Sequence, residues 1–228
     1  MKLFFQDWLF YRATGYRMVS PEADFISLNS LNASDIEVEE RTIIGPLYTR
    51  YDDLSALVPE NQKHKIFYIW RDPRDYLISS YYSLRYTHSV MGTIDLFRKE
   101  FEGLSDEEGL RKYIEGFKPG NPYYDCLQNW CDVESDSVRV FRYEDLFGEN
   151  QRQEIERLLH FLEIDLKSKT LDRLLYKYSF QKLRDQSKGD RQHLRSGKAG
   201  QYKKMDKDSV LSVFEPHVKT LCERMQYN

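Results

Sequence analysis

The sharpest change from apolar to polar residues in the chain lies at residues 65–82, KIFYIWRDPRDYLISSYY. Residues Ile66–Trp70 form a continuous apolar and aromatic run, which is typical of a strand covered on both faces in a mostly parallel sheet. Asp72 can then cap a helix that begins at Pro73, because proline's fixed φ suits this position and its missing N–H is not needed there. The pattern predicts a strand, a sharp loop and a helix that continues through Tyr82.

Apolar residues recur at helical spacing through much of the remaining chain. Gly15 stands where glycine commonly follows a helix, and Ser105 with Glu108 forms a capping-box sequence. Tyr51–Leu57 predicts one or two helical turns, and Pro216 is expected to bend the last predicted helix. The predicted helices are Lys2–Thr14, Ile94–Phe101, Ser105–Phe117, Tyr124–Cys131, Glu154–Leu162, Leu171–Leu183 and Asp208–Met225.

Extended segments are predicted at Asp24–Asn29, Glu37–Ile44 and Ser137–Phe141. Their alternation with helices favours an α/β fold. The chain has 228 residues and a mass of 27.4 kDa, which fit one α/β domain with a sizeable core. No internal repeat or linker divides it, so we predict a single domain over residues 1–228.

Two places could bind an anion. Arg71 stands at the carboxyl end of a predicted strand, where ligands collect in open α/β sheets, and Ser79 lies on the helix that follows. The alternative is a solvated charge cluster at the helix start, in which Asp72 and Asp75 are favoured by the helix dipole. These residues alone favour neither interpretation.

The second place is the basic segment Arg184–Lys204, which loses its apolar periodicity. Stretches of this length inside compact domains are usually functional or disordered. It contains Arg195-Ser196-Gly197-Lys198-Ala199-Gly200, an arginine followed by two glycines three residues apart. Glycines let backbone N–H groups approach an anion, and arginine supplies a planar pair of donors. Taken alone, this pattern favours a flexible surface loop.

Composition narrows the class of protein. The 34 basic and 37 acidic residues give a formal charge of -3, so no overall field attracts nucleic acid, and an anionic ligand would need a local basic pocket. The three cysteines form no C-x-x-C pair, which predicts reduced thiols and a cytoplasmic protein. Asp7 and Arg12 interrupt the apolar start, and no run approaches about 18 apolar residues, so neither export nor a membrane span is predicted. The histidine spacing suggests no metal site.

Four segments, taken in order, resemble the sulfotransferases that use 3'-phosphoadenylyl sulfate (PAPS), and the resemblance runs from roughly Thr42 to the end of the sequence. These segments are the strand, Arg and Ser-Ser-Tyr-Tyr of residues 66–82, the RYEDL of residues 142–146, the YSF of residues 178–180, and the R-x-G-x-x-G motif. By this resemblance Arg71, Ser79, Arg195, Ser196 and Gly197 hold the nucleotide's 3'-phosphate.

The resemblance also implies that Tyr143 reaches the adenine and that Phe180 lies against its ring, a stacking contact of about 1–3 kcal/mol. An interface tyrosine and a core phenylalanine are the alternatives for these two residues. The implied fold is a three-layer, mostly parallel α/β sheet of the P-loop nucleotide-binding kind. The implied reaction transfers a sulfuryl group from PAPS, without a metal, to a hydroxyl or amine of a small-molecule or carbohydrate acceptor.

The sequence departs from the family pattern in two ways. Family members begin with a strand and a lysine- and glycine-containing loop that holds the 5'-phosphosulfate, whereas this sequence opens within the helix that follows. The N-terminal strand and loop are therefore expected to be missing. In addition, the family pattern K-T-H-x-P corresponds to residues 42–46, TIIGP, so Ile44 replaces the histidine base. Tyr48, Asp52 and His88 are the polar candidates nearby.

Two other functions stay open. A protein derived from a sulfotransferase could bind PAPS or its product without catalysis, or serve as an interaction protein, and the missing loop favours this alternative. A nucleotide kinase of related topology is disfavoured, because the chain has no G-x-x-x-x-G-K-[ST] motif.

Overall fold

A computed structural model describes residues 1–19, 40–58, 62–87, 93–186, 199–205, 214 and 217–227. Within these ranges the strands are β1 (Arg17–Val19), β2 (Thr42–Ile44), β3 (Ile66–Trp70) and β4 (Val138–Arg142). The helices are α1 (Lys2–Phe5), α2 (Trp8–Thr14), α3 (Tyr51–Leu57), α4 (Pro73–Tyr82), α5 (Thr93–Glu100), α6 (Asp106–Glu115), α7 (Pro122–Cys131), α8 (Tyr143–Leu146), α9 (Gln151–Phe161), α10 (Ser168–Lys177), α11 (Phe180–Gln186) and α12 (His217–Arg224). A π-helical segment, Ser83–Thr87, extends α4, and Gln201–Lys204 forms a 3₁₀ turn.

The described strands form two parallel pairs. In one pair Met18 of β1 lies opposite Ile43 of β2, and in the other Trp70 of β3 lies opposite Arg142 of β4. The parallel pairing confirms the predicted α/β class. Strand β1 was not predicted, because three residues are too few to show a period, and the predicted strand Asp24–Asn29 lies outside the described residues.

Helices pack on both faces of β3. Phe67 and Ile69 face a core built from α1, α2, α9 and α10, whereas Trp70 packs against a second core that contains α4, α6 and α12. Tyr68 stacks on Trp130 of α7, with ring centroids 4.2 Å apart. This alternation produces the predicted three layers. Both faces of β3 are covered, as predicted, although its five residues are half-buried and residues 66–69 border a large cleft.

The predicted helix Lys2–Thr14 is two helices in the structure. Asp7 has an extended backbone and caps α2, with its carboxylate accepting the Leu9 N–H at 2.6 Å. Gly15 ends α2 at a φ of 76°, in the left-handed conformation that glycine adopts at little cost. A polar side chain that caps a helix therefore overrode the continuous apolar spacing.

Asp7 is also a long-range anchor. Its carboxylate is 6% exposed and accepts hydrogen bonds from Lys177 Nζ, at 2.6 Å, and from the Tyr178 hydroxyl. Burial by itself would raise the pKa of Asp7, but the hydrogen bonds from Lys177, Tyr178 and the Leu9 N–H outweigh it and lower the pKa. The contact ties α2 to α10.

Other helix boundaries also differ from the predicted ones. The predicted helix Leu171–Leu183 divides into α10 and α11, and α7 begins at Pro122 because Asn121 accepts the N–H groups of the next turn. The capping box of Ser105 and Glu108 is confirmed. Of the predicted helix Asp208–Met225, residues 208–213, 215 and 216 lie outside the described residues.

Candidate functional site

The ends of the paired strands bring together two of the predicted site residues. Because Trp70 and Arg142 are opposite each other in parallel strands, Arg71 and Tyr143 emerge at the same sheet edge. The Arg71 guanidinium carbon lies 4.6 Å from the centroid of the Tyr143 ring. Arg71 Nε is buried and, within the part of the chain that the structure describes, has no hydrogen-bond partner. A buried donor without a partner is costly, so this atom is suited to an incoming acceptor.

The first turn of α4 is organised around Asp72. Its carboxylate caps the helix by accepting the Arg74 N–H at 2.9 Å, and it also accepts Arg74 Nε at 2.9 Å and Arg74 Nη2 at 2.7 Å. The hydrogen bond with Asp72 raises the pKa of Arg74. Asp72 is only 6% exposed, so the alternative of a solvated charge cluster at this helix start is wrong. Arg74 is held by Asp72, whereas Arg71 faces the cleft.

Ser79 lies farther along α4 and borders the same cleft as Arg71. The axial rise of about 1.5 Å per residue places Ser79 about 9 Å along the helix from Pro73. Arg71 and Ser79 therefore border one cleft, and Tyr143 contacts Arg71 there.

Asp75 connects α4 to the end of the R-x-G-x-x-G motif. Its side chain is fully buried, and its two oxygens accept the N–H of Gly200 at 2.5 Å and the N–H of Tyr202 at 3.0 Å. The Arg74 guanidinium covers the Tyr202 ring at 4.1 Å. Gly200, at a φ of 74°, is the last glycine of the motif. The described end of the basic segment is thus bound to the helix that begins just after Arg71.

The sequence did not predict this role of Asp75, whose place at the helix start was explained by the helix dipole. The available signal was spacing, because Asp75 precedes Ile78 by three residues and so shares the buried face of α4. A carboxylate on a buried helix face needs hydrogen-bond donors from elsewhere in the chain.

Several predicted residues are not placed. Arg195, Ser196, Gly197 and His88 lie outside the described residues. Phe180 begins α11, but its side chain is also outside the described part.

The cleft has a volume of about 2460 Å³, larger than one small ligand requires. The lining of the cleft is rich in aromatic side chains, which we call the aromatic wall. Within this lining Ser80 Oγ and the Tyr113 hydroxyl lie 2.7 Å apart. Burial raises the pKa of Tyr76 and raises that of Tyr113 to about 12, so both phenols stay protonated at neutral pH. The aromatic wall comprises Tyr68, Tyr76, Phe97, Phe101, Tyr113, Tyr123 and Trp130.

The candidates for a general base are poorly placed for that role. Ile44 occupies the histidine position of the family pattern and borders the cleft. Tyr48 is 57% exposed. Asp52 is exposed and paired with Arg50 and with Asn129 Nδ2, the latter at 2.7 Å. Neither Tyr48 nor Asp52 is assigned as the base.

Two further properties bear on the site. Among the described residues no cluster of three or more His, Cys, Asp or Glu side chains could hold a metal ion, and none of the helices has the length and apolar character needed to cross a membrane. Cys126, Cys131 and Cys222 are free thiols.

Comparison with known proteins identifies the family. The model of the sulfotransferase domain matches residues 53–225. The chain belongs to the sulfotransferase family. It is 28% identical to sulfotransferase 1 family member D1 of Mus musculus over 123 residues, which cover 53% of this chain and 38% of that protein. It is also 28% identical to sulfotransferase 1A1 of Rattus norvegicus over 158 residues, 67% of this chain and 50% of that protein. The chain thus spans half or less of the length of these relatives.

A solved structure supports the fold. The crystal structure of mouse sulfotransferase SULT7A1 complexed with PAP aligns with a TM-score of 0.56 and 17% sequence identity, covering 83% of this chain and 67% of that one. This likeness confirms the sulfotransferase-like α/β fold predicted from the four segments.

Proposed function

We propose that the protein transfers a sulfuryl group from PAPS to a hydroxyl or amine acceptor. One observation carries the proposal: Asp75 binds the backbone of Gly200 and Tyr202, so the end of the R-x-G-x-x-G motif is attached to the same helix as Ser79, next to Arg71. Two segments that resemble the family's 3'-phosphate site are thereby joined at one place in the fold.

The described residues fit the nucleotide's 3'-phosphate. Arg71 has a buried Nε that has no hydrogen-bond partner among the described residues, and Ser79 adds a hydroxyl on the cleft wall. Arg195 precedes Gly200 by five residues. A fully extended chain spans at most about 18 Å over five residues, so Arg195 can reach the region of Arg71. Two guanidinium groups suit a doubly charged phosphate.

Adenine would lie toward Tyr143 and Phe180. Arg71 covers one face of the Tyr143 ring, and the ring centroids of Tyr143 and Phe147 lie 4.6 Å apart. Because these neighbours already pack against the ring, adenine would meet the edge or the hydroxyl of Tyr143. Phe180 would supply the stacking surface, since it starts the helix that follows α10.

The rest of the cleft would hold the acceptor. Transfer of a sulfuryl group depends mainly on alignment of donor and acceptor and on stabilisation of the charge that develops on the leaving phosphate. The aromatic wall favours a small-molecule acceptor with an apolar or aromatic body over a carbohydrate. The three free cysteines and the net charge of -3 agree with the proposed cytoplasmic location and with the absence of a nucleic-acid partner.

Calorimetry tests the nucleotide site. PAP, adenosine 3',5'-bisphosphate, should bind more tightly than adenosine 5'-phosphate, and Arg71→Ala should weaken PAP binding about ten- to hundredfold, since each hydrogen bond to a charged group contributes about 1.5–3 kcal/mol. Arg157→Ala is the matched control, because Arg157 pairs with Glu154 on α9 and does not border the cleft. Equal affinity for the two nucleotides would refute the 3'-phosphate site.

Non-catalytic nucleotide binding is the second candidate, and the observation that favours it is Ile44 in place of a histidine. Incubation with labelled PAPS and a panel of phenols, alcohols and amines separates the two. Transfer of label to any acceptor supports catalysis. Tight PAP binding with no transfer to any member of the panel supports the second candidate.

A further inference from the structure

The residues that follow α12 return to the ends of β3 and β4. Gln226 adopts a left-handed conformation, with a φ of 59°. The Gln226 N–H donates to the Glu223 carbonyl at 3.1 Å, and the Tyr227 N–H donates to the Cys222 carbonyl at 2.7 Å. This pair of bonds is the Schellman arrangement that ends many helices. It turns Tyr227 away from the helix axis and toward the candidate site.

Tyr227 makes two contacts there, and its neighbour Gln226 makes a third. Its hydroxyl donates to Glu144 Oε2 at 2.7 Å, and its ring lies 4.9 Å from the guanidinium of Arg142. Arg142 Nη2 in turn donates to the Gln226 carbonyl at 2.9 Å. Burial and the hydrogen bond with Glu144 both raise the pKa of Tyr227, so its hydroxyl stays protonated as a donor.

Glu144 continues this chain of contacts to the backbone beside Arg71. While Oε2 accepts the Tyr227 hydroxyl, Oε1 accepts the Asp72 N–H at 3.1 Å. Glu144 directly follows Tyr143, and Asp72 directly follows Arg71. The Glu144 carboxylate therefore links the backbone beside Arg71 to the backbone beside Tyr143, and the side chains of these two residues stack at the strand ends.

We propose that Tyr227 is a positioning residue for the nucleotide site. By binding Glu144 it holds the Asp72 N–H in place, and with it the Arg71 guanidinium over Tyr143 at the border of the cleft. This inference rests on the proposed function. The hydroxyl of Tyr227 is engaged by Glu144 and acts through it. Without that donor, Glu144 can reorient, and the link between the two strand ends loosens.

The test is the affinity for PAP divided by the affinity for adenosine 5'-phosphate, measured by calorimetry on the full chain. Tyr227→Phe removes only the hydroxyl and should reduce this ratio about three- to tenfold, the range expected for loss of one hydrogen bond. Tyr86→Phe is the matched control, because Tyr86 also donates to a carboxylate, that of Asp106, but lies in the π-helical segment at the other end of α4. Its ratio should stay within about twofold of the unmodified protein.

Combination with Arg71→Ala separates positioning from simple stabilisation. If Tyr227 acts through Arg71, then Tyr227→Phe will not lower the ratio further in the Arg71→Ala background, although it can still lower the melting temperature. A Tyr227→Phe protein with a lower melting temperature and an unchanged ratio would overturn the inference.

The remaining outcomes are also decisive. Should Tyr227→Phe fail to fold, Glu144→Ala removes the same bridge from the other side and carries the same expected loss and the same refutation. Should the unmodified protein itself bind the two nucleotides equally, the proposed function fails and this inference fails with it. A normal ratio in the unmodified protein that persists in Tyr227→Phe refutes the positioning role alone.

Discussion

Replacement of Asp75 by alanine would break the join between α4 and the basic segment. Asp75 is 0% exposed, and its two oxygens accept two backbone N–H groups, from Gly200 and Tyr202. Hydrogen bonds to a charged group contribute about 1.5–3 kcal/mol each, and relief of the buried charge offsets part of that sum. We expect Asp75→Ala to lower the free energy of unfolding by about 3 kcal/mol. For a domain of this size that is a fall of about 6–12 °C in melting temperature.

The same substitution should weaken nucleotide binding selectively. Because Gly200 loses its anchor, the end of the R-x-G-x-x-G motif is no longer attached to α4, and under the proposed function we expect PAP affinity to fall about tenfold. Affinity for adenosine 5'-phosphate should change little, since that nucleotide lacks the 3'-phosphate. Calorimetry with both nucleotides, together with thermal unfolding, measures the two effects.

Asp7→Ala is the control for loss of a buried carboxylate. Asp7 also accepts several hydrogen bonds, but it joins α2 to α10 in the other core. It should lower the melting temperature without changing the ratio of the two nucleotide affinities. If Asp75→Ala and Asp7→Ala destabilise the protein equally and both preserve that ratio, then Asp75 does not connect the basic segment to the phosphate site.

Three other outcomes follow from the described contacts. The folded pKa of Asp7 is below its ordinary value of about 4, so its stabilisation is present above that pH and is lost as the pH falls through the folded pKa. In urea unfolding, Asp7→Asn should therefore be less stable than the unmodified protein at pH 7, and the difference should shrink steadily as the pH falls below about 4. Gly109→Ala would place a methyl group against the hydroxyl of the fully buried Tyr81, and urea unfolding should show a free energy of unfolding lower by about 1–3 kcal/mol. Gly116→Ala is the control, because the nearest neighbours of its added methyl lie at 3.5 Å, and it should be neutral or stabilising. Burial raises the pKa of Cys222 to about 12, so a thiol reagent at pH 8 should label it slowly in the folded protein and rapidly in urea; rapid labelling without urea would contradict its burial.

Local secondary structure was predicted correctly where it depends on a few neighbouring residues. The strand Ile66–Trp70, the Asp72 cap and the proline start of α4 were all predicted, as was the capping box at Ser105. Each depends on groups within about four residues, whose backbone preferences the sequence shows directly. The single predicted helix Lys2–Thr14 was wrong because the Asp7 cap divides it, and the burial of Asp7 against α10, which accompanies that cap, depends on a distant part of the chain.

The candidate site was predictable only in part. The order of four motifs indicated Arg71, Ser79 and Tyr143. In the structure Arg71 and Ser79 border one cleft, and Tyr143 contacts Arg71. The residues that hold that end together were not predicted. No sequence motif marks Asp75 or Tyr227, because their hydrogen-bond partners lie far away along the chain.

By itself the sequence determined the class of fold, the elements around Arg71 and the family to which the four motifs point, because these depend on short-range patterns of polarity and on residue types with restricted conformations. Only the tertiary structure decided which carboxylates are structural and whether Arg71 or Arg74 borders the cleft. Asp72 holds Arg74, Asp75 holds Gly200, and Arg71 keeps a donor that has no partner in the part of the chain that the structure describes. Pairing of buried charges depends on which distant groups the packing brings within about 3 Å, and spacing along the chain does not encode that distance.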